Sequence, residues 1–258
     1  MTGGRRERIL REMGLVPLWR LRGKAQEDEQ PPEAGTQGPA AGPQAAPPAS
    51  DARAAAIARM GWDELKASTA ACRACRLCEQ RKQAVLGVGD VNAEWLFVGE
   101  GPGAEEDERG EPFVGQAGKL LDNMLAAIRL SRGDNVYIAN TVKCRPPGNR
   151  TPEPEETAAC FPYLSRQIEL IRPRLIVALG RPAAQTLLNT EVKVGAARGR
   201  LFDYQGIPLL VTYHPAYLLR NLTDKAKAWE DLCFARATMA RLQAGGDAEL
   251  ANPPQHPI

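Results

Sequence analysis

Four short apolar runs punctuate the middle of the chain: Trp95–Gly99, Val136–Ala139, Leu175–Leu179 and Leu209–Thr212. Each is too short for a buried helix and is bounded by polar or turn residues, so each predicts a buried strand. Amphipathic stretches lie between the first three. From Gln116 to Arg129, Ala117, Leu120, Leu121, Met124, Leu125 and Ile128 recur at helical spacing on one side. A second helix is predicted over Glu155–Ile171, and a third after Arg181-Pro182, where proline suits a first turn. Arg200–Tyr204 and Ile207–Thr212 flank Gln205-Gly206 and predict a hairpin. A last helix over Asp224–Leu242 is expected to turn Trp229, Leu232, Met239 and Leu242 inward. Strands alternating with helices imply a parallel sheet covered on both faces.

In such folds the functional site lies beyond the carboxyl ends of the strands. The segments at those positions are GEGPG (Gly99–Gly103), NTVKCRPPGNR (Asn140–Arg150), GRPAA, and HPAYLLRN (His214–Asn221). Nearly all the unusual chemistry of the chain falls in these four loops.

The globular part is expected to span residues 56–242. Residues 24–55 are rich in Pro, Ala, Gly, Gln and acidic residues without apolar period, and read as a disordered linker. Residues 243–258 read as a disordered tail. Among 258 residues, 43% are hydrophobic, enough for a real core. No run of eighteen apolar residues occurs, and no apolar stretch follows the charged start of the chain. Neither a membrane span nor a secretory signal is therefore predicted, and a cytoplasmic location is expected. The net charge of +2 is too small to argue for a nucleic-acid partner by itself.

Three of the six cysteines, Cys72, Cys75 and Cys78, fall within seven residues; Cys144, Cys160 and Cys233 are dispersed. Reduced cytosolic thiols disfavour a disulfide framework and point to metal. Zinc ribbons use two close pairs, whereas Cys144 and Cys160 are separated by fifteen residues. The spacing favours an iron–sulfur cluster and leaves zinc, or no metal, as alternatives. Cys233 sits among apolar neighbours and reads as a small hydrophobe. Cys72 and Cys75 sit in the polar, basic stretch CRACRLCEQRK and do not. Cys78 is either a substitute for Cys72 or spare.

Taken together, CRACRL, GEGPGAEEDERGEPFVGQAGKLLD, NTVKCRPPGNRTP and HPAYLLR closely resemble the family 4 uracil-DNA glycosylases, in order and with compatible spacing from about Ala71 to Leu242. The resemblance implies a three-layer α/β/α sandwich around a four-stranded parallel sheet. It implies a [4Fe–4S] cluster held by Cys72, Cys75, Cys144 and Cys160, and excision of uracil from single- or double-stranded DNA by a monomer. Asn140 is then expected to read the base and Phe113 to stack on it; the competing reading of Phe113 is a core residue. His214 is expected to stabilise the departing base through a neutral imidazole N–H. The best-known uracil glycosylases carry an aspartate where this chain has Gly101, so the resemblance points to Glu100 as the catalytic carboxylate. Glu106 is a second pocket candidate near C5 of the base, and Gly101 and Gly103 would let backbone approach base and phosphate. Lys143, Arg145, Arg150 and Arg220 are expected to grip DNA, and Leu218 to wedge into the gap left by a flipped base; each of these cations reads equally as ordinary surface charge.

Three rivals stand beside this reading. One is a glycosylase with a wider lesion range. Another is a covalent uracil-DNA binder, which would carry a basic, histidine-bearing insertion where this chain has the short acidic Asp107–Glu111. The third is an iron–sulfur electron carrier, which has no need of Asn140 or His214 at strand ends.

Residues 1–23 form a separate docking-peptide candidate. Leu10, Met13-Gly14-Leu15, Trp19 and Leu21-Arg22 resemble the N-terminal peptide of the psi subunit of DNA polymerase III, which implies that residues 4–22 contact the replicative clamp loader. Clamp-loader subunits are expected to be retained by the full chain in a pull-down and lost with Trp19→Ala; retention unchanged by that substitution rules the docking out.

Overall fold

The computed structural model describes residues 49–245. The expectations for residues 1–23, for most of the linker and for the end of the tail lie outside the described residues. The linker, however, ends earlier than its composition suggests. Residues 49–57 form helix α1 (Ala49–Ile57). It is held to the domain by fully buried Ile57 and by Arg53, whose Nη1 donates to the Ala159 carbonyl at 2.9 Å.

The sheet has six strands: β1 (Val88–Gly89), β2 (Trp95–Gly99), β3 (Val136–Asn140), β4 (Leu175–Leu179), β5 (Leu201–Tyr204) and β6 (Ile207–Thr212). Their spatial order is β1-β3-β2-β4-β6-β5. The central four, β3-β2-β4-β6, are parallel, as expected. The expectation of a four-stranded parallel sheet is corrected at both edges, where antiparallel strands make the sheet mixed. β5 is the first arm of the Gln205-Gly206 hairpin, whose turn residues both have positive φ (52° and 85°), as a two-residue hairpin turn requires. β1 has two residues and no apolar run, so it left no signal in the pattern.

Nine α-helices occur among the described residues. After α1 come α2 (Trp62–Ala71), α3 (Ala104–Arg109), α4 (Gln116–Ala127), α5 (Pro154–Ile171), α6 (Arg181–Leu188), α7 (Val194–Ala197), α8 (Pro215–Leu218) and α9 (Asp224–Gln243). Alternate strand residues face opposite sides. Leu96, Val98, Ile176, Ala178, Leu209 and Val211 pack with Leu164 and Ile168 of α5 and Ala183, Ala184 and Leu187 of α6. Trp95, Phe97, Ile138, Val177 and Leu210 pack with Leu121 and Leu125 of α4 and Leu232 and Met239 of α9. Both faces are dry, which explains why the strands read as continuous apolar runs. Trp229 is 46% exposed, against expectation. The buried stripe of α9 is Ala228, Leu232, Ala235 and Met239, one position away, because small alanines let the helix approach the sheet.

Register aligns the carboxyl ends of the central strands: Gly99 pairs with Asn140 and Leu179 with Thr212. The chain leaves β2 toward one side of the sheet, to β3, and then crosses to β4 on the other. That reversal opens a crevice at the β2 and β4 ends.

One turn needs special support. Phe113 has φ of 56°, a left-handed conformation that a bulky residue adopts only when its surroundings impose it. Arg132 supplies part of that constraint, donating to the Pro112 and Phe113 carbonyls at 2.7 Å each while Asp122 holds the guanidinium. Gly118 of α4 supplies the rest, lying against the Phe113 backbone so closely that a Cβ would overlap the carbonyl. In an ordinary helix Gly→Ala stabilises by about 1 kcal/mol. Here Gly118→Ala is expected to destabilise by about 1–3 kcal/mol through overpacking, read as a lower urea midpoint at unchanged slope.

Candidate functional site

Continued pairing of β2 with β3 beyond their ends builds the floor of the site. The Thr141 and Val142 amides donate to the Gly99 and Glu100 carbonyls at 3.0 and 3.2 Å, and the Thr141 hydroxyl donates to the Glu100 carbonyl at 2.5 Å. A cleft of about 770 Å³ opens above this floor. It is lined by Glu100, Gly101, Gly103, Glu106, Phe113, Asn140, Arg150, His214 and Arg220 among the residues expected to act, and all four strand-end loops contribute to it.

Asn140 ends β3 and is 2% exposed, yet its Oδ1 has no hydrogen-bond partner among the described residues. A buried acceptor left unmatched costs about 1–3 kcal/mol, so this oxygen is set for a donor that arrives from the cleft. Gly99 makes room for it. A Cβ on Gly99 would stand 2.5 Å from both Asn140 Oδ1 and Phe113 Cζ. Phe113 in turn lies with its ring centroid 5.4 Å from that of His214.

His214 caps α8, its Nδ1 accepting the Ala216 amide at 3.1 Å. An accepting Nδ1 leaves the proton on Nε2. Desolvation, with a smaller push from Arg220 and an opposing pull from Glu106, lowers the imidazole's pKa to about 4. At neutral pH the side chain is therefore an uncharged N–H donor. Glu100 is shifted the other way: burial raises its carboxyl above the ordinary range, while Thr151 and Arg181 draw it back.

Glu106 lines the cleft, but its oxygens are already committed. They accept the Gly103, Val114 and Gly115 amides at 3.0, 2.9 and 3.2 Å. The carboxylate thereby joins the loop after β2 to the Phe113 turn. Lys143 is 1% exposed, and its ammonium donates to the Asn140 carbonyl and Gln167 Oε1 at 2.8 and 2.5 Å. The expectation that it grips DNA is corrected by that burial. Leu218 is corrected on the same ground: at 1% exposure it belongs to the core, whereas Leu219 beside it is 42% exposed. Arg145 is half-buried, with Nε on Asn149 Oδ1. Arg150 is exposed and forked onto Glu156 at 2.8 and 2.7 Å. Arg220 is exposed at the cleft. Arg181, Thr151, Tyr213 and Tyr217 also line the cleft. Arg181 and Thr151 were missed because a first-turn arginine and a loop threonine carry no distinctive pattern.

On the far side of the loop after β3, Cys72, Cys75, Cys78, Cys144 and Cys160 line one small apolar pocket. All five are free thiols. Desolvation pushes Cys160 up to about 12 and also raises Cys75 and Cys144. Cys72 is desolvated too, but the Ala74 amide, Tyr163 and Arg53 bring it below its ordinary value. Among the described residues, no three ligand-type side chains close around a single ion. Donors are already aimed at the sulfurs: Arg81 Nη1 lies 2.8 Å from Cys144 Sγ, and the Lys143 amide 3.2 Å from Cys160 Sγ. Arg81 also holds the Ala70 and Cys72 carbonyls, at 2.6 and 2.9 Å. It lay within the basic run that set these cysteines apart, but its role had no signal of its own.

Residues 86–233 match the uracil DNA glycosylase superfamily. The chain is 48% identical over 158 residues to a type-4 uracil-DNA glycosylase of Thermotoga maritima, covering 60% of this chain and 82% of that protein. It is 46% identical over 165 residues to one of Archaeoglobus fulgidus, covering 61% and 82%. It is 45% identical over 173 residues to one of Pyrobaculum aerophilum, covering 63% and 87%.

The neutral histidine has a consequence for acid stability. Above pH 6.5 His214 is uncharged in folded and unfolded chains alike and contributes nothing. Below it the unfolded chain takes up a proton that the folded chain refuses until pH falls to about 4. Stability is therefore lost as pH falls through this window, by up to about 3 kcal/mol. Urea unfolding from pH 7 to 4 is expected to show this loss and His214→Gln to remove most of it; an unchanged pH slope in the variant contradicts the assignment.

Proposed function

The chain belongs to the uracil-DNA glycosylase superfamily and to its type-4 members, and on that premise we propose how its cleft excises uracil from DNA to begin base-excision repair. The observation that carries the reading is the partnerless Oδ1 of Asn140, buried at the floor of the cleft beside Phe113 and His214.

Uracil N3–H is the donor that Oδ1 lacks, and uracil O4 can accept from the same amide. Cytosine has an acceptor at N3 and a donor at C4, so it meets this amide with mismatched groups. Phe113 lies under the base as a stacking surface, a contact worth roughly 1–3 kcal/mol. Glu106 shapes this wall by holding Gly103 against Val114 and Gly115. Flipping the nucleotide into the pocket costs a few kcal/mol.

As the C1′–N1 bond breaks, electrons move onto uracil and positive charge develops on the sugar. The Nε2–H of His214 faces the negative charge gathering on O2 and stabilises it without transferring a charge. Glu100 acts on the other partner, stabilising the cationic sugar or taking the proton from the water that adds to C1′. Water's hydroxyl ends on C1′ to leave the sugar abasic, and the proton the water loses, through Glu100 or solvent, balances the one that neutralises the departing uracil.

The residues present fit an iron–sulfur cluster. A buried ammonium with no carboxylate partner among the described residues, and a guanidinium set on a cysteine sulfur, are compensated by an anionic metal–thiolate group. Cys72, Cys75, Cys144 and Cys160 are the proposed ligands of a [4Fe–4S] cluster, with Cys78 at its border. When bound, the group supplies a structural crosslink between the segment after α2 and the loop after β3.

Arg220, Arg145 and Arg181 are proposed to meet DNA phosphates, with Arg150 partly neutralised by Glu156. Leu219 is the exposed apolar residue of the turn after His214 and takes the role of wedge. None of the described helices is long and apolar enough to cross a membrane. A monomer in the cytoplasm, docked to the clamp loader through residues 4–22, completes the proposal; the docking rests on sequence resemblance.

A labelled oligonucleotide bearing one uracil is expected to be cut after alkali at that position alone, with a thymine control intact. Asn140→Ala is expected to lower kcat/KM by about 10–100-fold and His214→Ala to lower kcat by about 100–1,000-fold. No cleavage by iron-loaded protein refutes the enzymatic reading.

A further inference from the structure

Among the described residues Lys143 is the one lysine in the set of largest fully buried side chains, and it touches both sites. Lys143 is one of the residues that line the cysteine pocket. Its own amide donates to Cys160 Sγ, and its neighbour in sequence is Cys144. Its ammonium reaches back to the carbonyl of Asn140, the residue whose amide forms the floor of the cleft. The remaining acceptor is Gln167, itself fully buried and held by the Leu86 carbonyl and the Tyr137 hydroxyl. Among the described residues no carboxylate pairs with this charge, and both acceptors are neutral. Two neutral acceptors offset only part of the cost of burying a cation, and a nearby anion offsets more. The thiolate sulfurs of Cys144 and Cys160 are the anions in reach once they ligate iron.

We propose that Lys143 is a positioning residue that couples the cluster to base recognition: the anionic cluster holds its ammonium in place, and the ammonium holds the end of β3 so that Asn140 presents its amide squarely to uracil. The inference rests on the cofactor and base-reading assignments made above. Loss of the charge is expected to act at both ends, on the hold of the cluster and on affinity for the base, and to spare contacts with the DNA backbone.

The test compares purified holoenzymes of wild type, Lys143→Met and Lys143→Arg. Iron content and bleaching of the visible absorbance by a chelator report on the cluster. Inhibition by free uracil and affinity for an abasic-site oligonucleotide separate base reading from backbone binding. For Lys143→Met we expect about tenfold weaker inhibition by free uracil, the loss of one charge-assisted hydrogen bond. We also expect faster bleaching, a raised KM with a smaller change in kcat, and unchanged abasic-site binding; Lys143→Arg is expected to restore part of both effects. Uracil inhibition equal to wild type in iron-loaded Lys143→Met overturns the coupling. So does an equal loss of uracil and abasic-site binding, which marks a general defect. If Lys143→Met fails to fold, Gln167→Leu keeps the lysine and removes one acceptor. The same two readouts are then expected to shift together in the same direction, and no shift in either overturns the proposal. Wild-type protein without iron or without uracil cleavage overturns the assignments beneath the coupling, and the coupling with them.

Discussion

The parallel pairing of β2 with β3 is the interaction on which the site depends. It does not stop at the Gly99–Asn140 pair. Two more backbone hydrogen bonds and the Thr141 hydroxyl carry the ladder into the loops, so Glu100 and Asn140 are set relative to one another by a sheet rather than by a flexible connection. Gly99 has no side chain at the one point where Asn140 and Phe113 need the space. The remaining cleft residues are then placed by what attaches to this pair: the Phe113 turn through Glu106, Arg132 and Gly118, and His214 through the aligned end of β6.

The polar groups around this pair divide into two kinds. Glu106 and Gln167 have their oxygens occupied by protein donors, and Lys143 donates to two acceptors. They fix geometry and have little left for a ligand. Asn140 Oδ1 lacks any partner among the described residues. Surrounding one unmet acceptor with satisfied neighbours keeps it from relaxing toward some other donor, which is how a fold preserves a binding preference at the cost of some stability.

The four central strands were legible because both faces of the sheet are covered, so apolar residues run unbroken and turn residues bound them. The site loops followed from the fold class, since they occupy the strand ends. Features that failed to register did so for identifiable reasons. β1 is too short to have a period. The buried stripe of α9 uses alanines, so the largest apolar side chain, Trp229, pointed to the wrong face. Lys143 and Leu218 were judged by residue type within loops taken to face DNA, whereas one side chain turns inward to Gln167 and the other into the core. Helix α1 was hidden in an alanine-rich segment whose composition matches the linker before it; the tie from Arg53 to the Ala159 carbonyl is between residues 106 positions apart, which no local pattern reveals.

The tautomer of His214 also bears on how the cleft empties. With Nδ1 engaged by the Ala216 amide and Nε2 carrying a proton on an uncharged ring, the group that the proposed mechanism sets against the departing base is a dipole. An imidazolium would form an ion pair with the uracil anion in a partly dry cleft, and such a pair would be slow to part. A neutral donor gives its largest benefit while charge is developing and keeps little hold once the base has been protonated. Under the proposed mechanism the same depressed basicity that aids bond cleavage therefore also aids turnover, by leaving no electrostatic trap for the product.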